Sequence, residues 1–444
     1  MKLGVVPLLS GDSGGVYQYC LMVLEALRTP GTLRVDDSVT LFVHDTQDSR
    51  LTEVSSPDWS IQPLRPPSLR RHAATAARAI PLIGSLIDLL RKYASYFRGS
   101  AGHRSNTQPG REQEKWFRSL GIDLMLYPVP MSISFECRIP YVFTVHDLQH
   151  RLQPHFPEVG EPAEWQAREA LFKRGIEGAE VVIVDSEIGR EDVMACYGNC
   201  GISAERVRVL PFVPPNYGFD RPSLHDQQEV RLRYKLPDRY FFYPAQFWPH
   251  KNHLRLISAL ALLRDHYSIS AHLVLSGSRN NEIRSRTFSD LCDLIQELGL
   301  QAQVHYLGFV PDSDMPALYA GSLALTMPTF FGPTNIPILE AWSLGCPVLT
   351  SDIRGVRDQA GDGALLVDPT SVSALADGLF QLWCDDALRE QLRTNGAKRL
   401  EEFTKEDFAQ QLSDIIELAR GRVLSSRPST SQPQRHNQEH SHEA

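Results

Sequence analysis

Glycine, histidine, lysine and glutamate residues follow four short apolar runs of the sequence, and each suits a different chemistry. In the loop 10–18, Gly14 and Gly15 lie just before an apolar helical stripe. A glycine-rich turn that opens a helix leaves backbone N–H groups unpaired at the positive end of the helix dipole, where anions bind. The spacing matches neither the dinucleotide motif nor the P-loop motif. A ligand loop and a plain tight turn are therefore equal alternatives.

The next two segments place an imidazole and an ammonium group at the ends of predicted strands. His146 follows the apolar run 141–145, and the carboxyl ends of parallel strands are where open α/β sheets bind ligands. We expect His146 to hydrogen-bond a substrate hydroxyl, with a strand-capping histidine as the alternative; no matching set of metal ligands accompanies it. Lys251 lies at the mouth of a predicted helix, where a phosphate would find a cation and free N–H groups. A solvated lysine is the alternative there.

The fourth segment, 327–342, predicts a loop that ends in a helix N-terminus. Thr334 or Asn335 fits the N-cap and Pro337 fits the first turn, so free N–H groups are expected to face the loop. Glu340 lies one turn inside this helix, where its carboxylate can accept hydrogen bonds from two vicinal hydroxyls. Complementation of the helix dipole is the alternative role of this glutamate.

These segments need a scaffold, and apolar runs that alternate with helical patterns predict parallel α/β sheets. Strands are predicted at 3–8, 40–43, 122–127, 141–145 and 181–185, and again at 240–243, 271–275, 304–307, 323–327, 347–350 and 364–367. Five prolines between 211 and 237 indicate a linker. The sequence thus predicts two doubly wound domains, 1–213 and 238–403, joined by a linker at 214–237. A helix at 404–421 and a disordered tail at 422–444 complete the chain.

Composition excludes several classes of protein. With 444 residues, 42% of them hydrophobic and 22% charged, most of the chain is neither disordered nor collagen-like nor coiled coil, and it can form two or three domains. Seven scattered cysteines favour a reducing compartment. No apolar run approaches the roughly 20 residues of a membrane span, and residues 1–7 begin as an apolar strand without the pattern of a signal peptide. We therefore expect a cytoplasmic protein.

A basic stretch at 65–104 contrasts with the net charge of −8 for the whole chain. It carries eight basic residues against one acid, a net charge of +7, so the remainder carries −15. Around 80–98 an apolar helical face is flanked by basic residues, which suits peripheral contact with an anionic membrane. An amphipathic helix packed on the core is an equal alternative. Nucleic acid is a poor partner, because the rest of the chain is acidic and no reader motif occurs.

With these segments in this order, residues 1–420 resemble the retaining nucleotide-sugar glycosyltransferases of glycosyltransferase family 4. The resemblance implies GT-B architecture, with two facing Rossmann-like domains and a C-terminal helix that crosses back to the N-terminal domain. It implies transfer of a mannose-type or glucose-type hexose from a GDP or UDP sugar to a glycan or lipid-linked acceptor hydroxyl. It implies no metal and no other cofactor. Asp312-Ser313-Asp314 mimics the Asp-x-Asp metal motif of other glycosyltransferases, but a helix cap is the better interpretation.

The resemblance also assigns the site residues. His146, Lys251 and Glu340 match the residues that contact the donor sugar near the reacting centre, neutralise the diphosphate and hold the ribose hydroxyls, and they are the implied catalytic residues. Gly308 and Phe309 match the segment that contacts the nucleobase. The implied donor-binding residues are Gly14, Gly15, Gln246, Lys251, Gly308, Phe309, Gly332, Pro333, Thr334, Asn335, Ile336 and Glu340.

Two positions depart from the family's pattern. The family pairs two glutamates separated by seven residues, and Gly332 occupies the first of these two positions. Gln246 stands where an arginine often accompanies the lysine, and the loss of a bidentate cation weakens diphosphate binding. The motifs are otherwise intact, so the sequence favours an active variant. The alternatives are a GT-B sugar-nucleotide epimerase or phosphorylase, or a catalytically inactive glycosyltransferase-like subunit.

Overall fold

The computed structural model describes residues 1–9, 14–48, 50–64, 108–215 and 221–426 of the chain. Its strands are β1 Lys2–Val5, β2 Ser38–Val43, β3 Ser60–Pro63, β4 Leu124–Tyr127, β5 Tyr141–Val145, β6 Val181–Val184, β7 Val207–Val209, β8 Tyr240–Pro244, β9 His272–Ser276, β10 Val304–Tyr306, β11 Ala324–Met327, β12 Val348–Ser351 and β13 Leu365–Val367. The basic stretch at 65–104 lies outside the described residues.

The helices surround these strands. Those that precede β8 are α1 Gly15–Arg28, α2 Leu51–Val54, α3 Gln108–Ser119, α4 Ile133–Glu136, α5 Gln149–Leu152, α6 Pro157–Gly160, α7 Pro162–Gly178, α8 Glu187–Tyr197 and α9 Leu224–Arg233. Those that follow it are α10 His253–Tyr267, α11 Glu282–Glu297, α12 Met315–Gly321, α13 Ile336–Ser343, α14 Val356–Ala360, α15 Val372–Cys384, α16 Asp386–Leu400 and α17 Lys405–Ser426.

The first sheet has seven parallel strands in the order β3-β2-β1-β4-β5-β6-β7. All residues of β4, β5 and β6 are buried, as expected for parallel strands that helices cover on both faces. Successive strands run outward from β1 on one side and from β4 on the other. A crevice therefore opens beyond the carboxyl end of β1, where the chain continues into Gly14 and α1.

The second sheet has six parallel strands in the order β10-β9-β8-β11-β12-β13. Its strand order reverses between β8 and β11, which are paired neighbours. The loop after β8 carries Lys251, and the loop after β11 carries Gly332 to Asn335. Both loops therefore leave the sheet at the switch point, which is where doubly wound sheets bind ligands.

The C-terminal helix α17 packs on the first domain, against α1, β5 and β6. Phe408, Leu412 and Ile416 form its buried face. Asp37 of the first domain binds both the amino group of Met1 and the guanidinium of Arg420. The expected return of the C-terminal helix to the N-terminal domain is thus confirmed, and the two parallel-sheet domains have the predicted class of fold.

Two predicted boundaries differ from the structure. Helix α9 lies inside the predicted linker 214–237 and packs on α12, with Arg233 Nη1 2.8 Å from Asp314 Oδ1. The prolines Pro222 and Pro237 flank this helix rather than interrupt it, and only Val230 of it is buried, so the apolar pattern is weak. Helix α17 continues to Ser426, into the predicted tail.

Candidate active site

A cavity of about 490 Å³ lies between the two domains. The first domain contributes Gly14, Gly15, Tyr17, Gln18 and Arg50, and the second contributes Pro244, Ala245, Gln246, Ser276, Gly277, Ser278, Phe309, Val310, Pro311, Asp312, Met315, Ile336, Pro337 and Glu340. Six of the residues predicted from the sequence therefore meet here, namely Gly14, Gly15, Gln246, Phe309, Ile336 and Glu340.

The N-terminus of α1 faces the second domain across this cavity. Gly14 has φ +55°, a left-handed conformation that favours glycine, and a Cβ there would lie 3.4 Å from Gln246 Nε2. Gln246 Oε1 accepts a hydrogen bond of 3.0 Å from the indole of Trp248. The glycine thus turns the chain into α1 and keeps the backbone close to the opposite domain, and its role in a ligand loop stays a prediction.

Glu340 is buried at 6% exposure, and it accepts a hydrogen bond from the hydroxyl of Tyr319. Helix α13 carries it at the wall of the cavity. On the same wall, Phe309 is 68% exposed, which is unusual for a large apolar side chain. An aromatic face and a carboxylate along one wall provide surfaces for a flat ring and for hydroxyl groups.

The N-terminus of α13 differs from the sequence prediction, since its backbone donors are largely engaged. The N–H of Asn335 binds Gln359 Oε1 at 2.8 Å, and Gln359 Nε2 returns a hydrogen bond of 3.0 Å to the Asn335 carbonyl. The N–H of Ile338 binds that same carbonyl, and Pro337 has no N–H. Helix α13 therefore presents fewer N–H donors to the loop than the sequence predicts. Gln359, which the sequence analysis missed, holds the loop instead.

Lys251 lies in the loop after β8, partly buried, beside the first domain. The neighbouring His250 donates its backbone N–H to Glu158 Oε1 at 3.1 Å, and its Nδ1 lies 2.5 Å from the same oxygen. Burial lowers the pKa of Lys251 to about 8, an effect that the charges of Asp147 and Glu158 partly oppose. Lys251 is not among the residues that line the cavity. The loop that holds it contacts the loop after β11, because the N–H of Phe330 donates a hydrogen bond to the carbonyl of His250.

His146 lies outside the cavity lining and packs edge-on against Tyr19, with ring centroids 4.9 Å apart. Its Nε2 is 2.9 Å from the carbonyl oxygen of Pro128, so Nε2 carries the proton and Nδ1 is the acceptor in the neutral ring. Burial lowers the pKa of His146. The imidazole is therefore neutral near pH 7, and it can exchange hydrogen bonds but supplies no positive charge.

The loop 332–335 is shaped by a glycine. Gly332 has φ +140°, and a Cβ at this position would lie 2.7 Å from Asn335 Oδ1. The hydroxyl of Thr334 donates to the carboxylate of Asp185 in the first domain. Gly308, Gly332, Pro333, Thr334 and Asn335 are not among the residues that line the cavity.

Several lining residues, among them Arg50 and Tyr17, were not singled out from the sequence, whereas Asp312 was expected only as part of a helix cap. Arg50 brings a cation to the cavity, and its guanidinium pairs with Asp48 at 2.6 Å. Tyr17 comes from the first turn of α1, and burial raises its pKa. Asp312 lines the second-domain wall and burial raises its pKa, whereas Asp314 uses its carboxylate on Arg233 and Tyr234 rather than to cap α12.

Neither a metal cluster nor a membrane span occurs in the part of the chain that the structure describes. Within 1–9, 14–48, 50–64, 108–215 and 221–426, no three histidine, cysteine, aspartate or glutamate side chains are grouped so as to hold a metal ion. Within the same ranges, no helix is both long and apolar enough to cross a bilayer.

Comparison with known proteins identifies the second domain. Residues 226–399 match the family model described as Glycosyl transferases group 1. O-antigen chain mannosyltransferase B of Escherichia coli is 27% identical over 251 residues, which are 56% of this chain and 64% of that protein. D-inositol 3-phosphate glycosyltransferase of Corynebacterium glutamicum (strain R) is 24% identical over 289 residues, 63% of this chain and 66% of that protein. The matches thus span slightly less than two thirds of the length of these relatives.

Solved structures share the fold. Anabaena Alr3699/HepE in complex with UDP and glucose superposes with a TM-score of 0.65 at 20% identity, over 94% of this chain and 99% of that chain. WaaG, a glycosyltransferase involved in lipopolysaccharide biosynthesis, superposes with a TM-score of 0.60 at 14% identity, over 94% and 99% of the two chains. Residues 226–399 are therefore similar to the glycosyltransferase group 1 family, and the two Rossmann-like domains of the chain share the fold of these solved structures.

Proposed function

We propose that the protein is a retaining hexosyltransferase of glycosyltransferase family 4. Its donor would be a nucleoside-diphosphate sugar carrying a mannose-type or glucose-type hexose, and its acceptor a hydroxyl of a glycan or of a lipid-linked sugar. One observation carries the proposal. A single cavity joins the glycine turn of α1, at Gly14 and Gly15, to the carboxylate of Glu340 on the opposite domain. The similarity to O-antigen chain mannosyltransferase B, and to structures solved with UDP, supports the same conclusion.

The donor would bind mainly to the second domain. Glu340 is the group suited to the ribose hydroxyls, because it is a buried carboxylate on the cavity wall. Phe309, on the same wall, offers its exposed ring to the nucleobase. Lys251 and the N-terminus of α1 provide positive potential for the diphosphate from the two sides of the cleft.

Catalysis would consist chiefly of stabilising the leaving group. As the bond between the anomeric carbon and the phosphate oxygen breaks, negative charge grows on that oxygen. Lys251 and the dipole of α1 are the groups that would stabilise this charge. Retention implies that the acceptor oxygen attacks on the face that the phosphate leaves, and the acceptor proton then passes to the departing phosphate. Neither a metal nor another cofactor is needed in this scheme.

The acceptor and the location of the protein are also proposals. We propose a cytoplasmic protein that meets a lipid-linked acceptor through peripheral contact of the basic stretch 65–104, whose net charge is +7. Co-sedimentation with anionic and with neutral vesicles tests this contact. Binding to anionic vesicles that added salt weakens is expected, and an equal lack of binding to both vesicles would contradict it.

A panel of GDP and UDP hexoses tests the function directly. We expect at least one of them to raise the unfolding temperature, and a glycan acceptor then to trigger release of the nucleoside diphosphate. A ligand at 100 times its dissociation constant adds about 2.7 kcal/mol to the free energy of unfolding, which is easily measured. Conversion of the free sugar nucleotide would indicate an epimerase, and release that depends on phosphate would indicate a phosphorylase. The absence of nucleoside diphosphate release with any donor would indicate an inactive subunit.

A further inference from the structure

The loop 332–335 of the second domain, called the donor loop below, has glycine where the family that the chain resembles has a carboxylate, and the backbone at position 332 does not suit a side chain. Position 332 has φ +140°, which disfavours any side chain, and Asn335 occupies the space that a Cβ would need. A transferred hexose presents several hydroxyl groups, and carboxylates are the strongest acceptors for them. A carboxylate that served this loop would have to come from another element.

Asp185 of the first domain contacts this loop. It directly follows β6, just as His146 directly follows β5, and the two strands pair in parallel with Val145 opposite Val184. The next pair in that register is His146 opposite Asp185. Extension of the register by one residue thus gives them neighbouring positions at the carboxyl edge of the first sheet, which faces the second domain.

The carboxylate of Asp185 reaches across the cleft. Its Oδ2 accepts a hydrogen bond from the hydroxyl of Thr334 in the donor loop, and its Oδ1 accepts one of 3.1 Å from Ser186. Asp185 thus connects the edge that carries His146 with the segment 332–335. Both of these side-chain partners are neutral hydroxyl groups.

The surroundings of Asp185 are unusual for a carboxylate that only joins two domains. Its side chain is buried at 4% exposure, and among the described residues no arginine, lysine or histidine forms an ion pair with it. Burial raises the pKa of Asp185 to about 7, and the charge of Asp147 adds to this effect. Asp147 itself is paired with Arg168 at 2.7 Å. A buried carboxylate without a cation is costly. A neutral asparagine would cost less there, with its amide oxygen accepting from one of these hydroxyls and its amide nitrogen donating to the other hydroxyl oxygen.

We propose that Asp185 supplies, from the first domain, the carboxylate that position 332 of the second domain lacks, and that it binds a hydroxyl of the transferred hexose beside His146. This inference rests on the proposed function. The hydroxyl of Thr334 can rotate, so it can donate either to Asp185 or to an oxygen of the sugar. Because the carboxylate belongs to the opposite domain, it would contact the sugar hydroxyl only when the two domains close on the sugar.

The substitution Asp185→Asn tests the proposal, because it keeps the size of the side chain and removes its charge. The dissociation constants of the free nucleoside diphosphate and of nucleotide sugars epimeric at C2 and at C4 are measured by calorimetry. We expect the affinity for the nucleoside diphosphate to stay within about twofold of the wild-type value. The affinity for the preferred nucleotide sugar should fall at least tenfold, and the preference between epimers should fall with it.

Asp37→Asn is the matched control, because Asp37 is also a buried aspartate and lies at the contact between Met1 and Arg420, away from the cavity. It should lower the unfolding temperature without changing the preference between epimers. If Asp185→Asn does not fold, Asp185→Ser removes the charge with less volume and carries the same expectations.

Three outcomes would overturn the inference. They are an unchanged preference between epimers in the Asp185 variant, an equal loss of affinity for the nucleoside diphosphate and for its sugar, and the same change in the Asp37 variant. An equal loss would mean that Asp185 only joins the domains. A wild-type protein that binds no nucleotide sugar would refute the proposed function together with the inference, whereas wild-type binding with any of the three outcomes refutes the inference alone.

Discussion

Replacement of Lys251 by methionine tests whether this lysine binds the diphosphate of the donor. Methionine has a similar length and no charge, so the loop after β8 should keep its packing. A charge-assisted hydrogen bond to an anion contributes about 1.5–3 kcal/mol, which corresponds to a roughly 10-fold to 150-fold loss of affinity for the nucleoside diphosphate. Lys173→Met is the control, because Lys173 is exposed on α7 in the first domain.

The lowered pKa of Lys251 adds a second, independent signature. With a pKa of about 8, the lysine of the free protein is charged below pH 8 and loses its proton above it. Anion binding requires the charged form, so affinity must fall as the pH rises through this value. Between pH 7.5 and pH 9 the charged fraction falls about eightfold, and the wild-type affinity should fall by a similar factor. Above pH 7.5 a terminal phosphate is already fully ionised, so the ligand contributes little to this change.

Calorimetric titrations of GDP and UDP at several pH values supply both readouts. The Lys251 variant should bind weakly and with no dependence on pH in this range, while the Lys173 variant should follow the wild type. Binding by the Lys251 variant within twofold of the wild type at pH 7.5 would refute the assignment. A wild-type affinity that stays constant up to pH 9 would refute the argument from the pKa.

Glu340→Gln and Gly396→Ala test the helix that carries Glu340, and Gly421→Ala is the control for the second of them. Glu340→Gln keeps an acceptor for Tyr319 but removes the charged acceptor for vicinal hydroxyls. The preference for a nucleoside diphosphate over its 2′,3′-dideoxy analogue should therefore fall about tenfold in calorimetry. An unchanged preference would contradict the ribose contact. Gly396→Ala should cost about 1–3 kcal/mol in urea unfolding, because a Cβ there would overlap the indole of Trp342 on α13. Gly421→Ala, where a Cβ meets nothing within 4 Å, should instead stabilise by about 0.5–1 kcal/mol, and equal effects would show that the contact with Trp342 is unimportant.

The sequence was sufficient to predict the central strands and the polar residues at their carboxyl ends. Strands buried on both faces are short, uniformly apolar runs, so the polar residue that ends each run is conspicuous, as with His146 after β5. The edge strands β3 and β7 escaped prediction, since their sequences Ser-Ile-Gln-Pro and Val-Arg-Val carry polar residues. Helix α9 escaped because it buries one side chain and depends on a capping box between Ser223 and Asp226.

The residues that escaped prediction at the site depend on contacts between distant parts of the chain. Gln359 is 24 positions beyond Asn335, and only the folded second domain brings its amide to that backbone. Arg50 lines the cavity because β2 happens to lie beside β1 in the sheet. Asp185 was included in the prediction as the last residue of a strand, and only the register between β5 and β6 places it beside His146. Spacing along the sequence carries no information about such neighbours.

The return of α17 to the first domain has a mechanical consequence. The chain crosses between the domains once on the way from β7 to β8 and again between α16 and α17. A body tethered to another at two separate points can swing about the line through them, but it cannot slide or twist freely. We therefore expect any opening of the cleft to be a rotation about the line through these two crossings. Cleavage of the backbone at 401–404 would remove one of the two connections, while α17 would stay packed on α1. The second domain could then rotate about the one remaining connection.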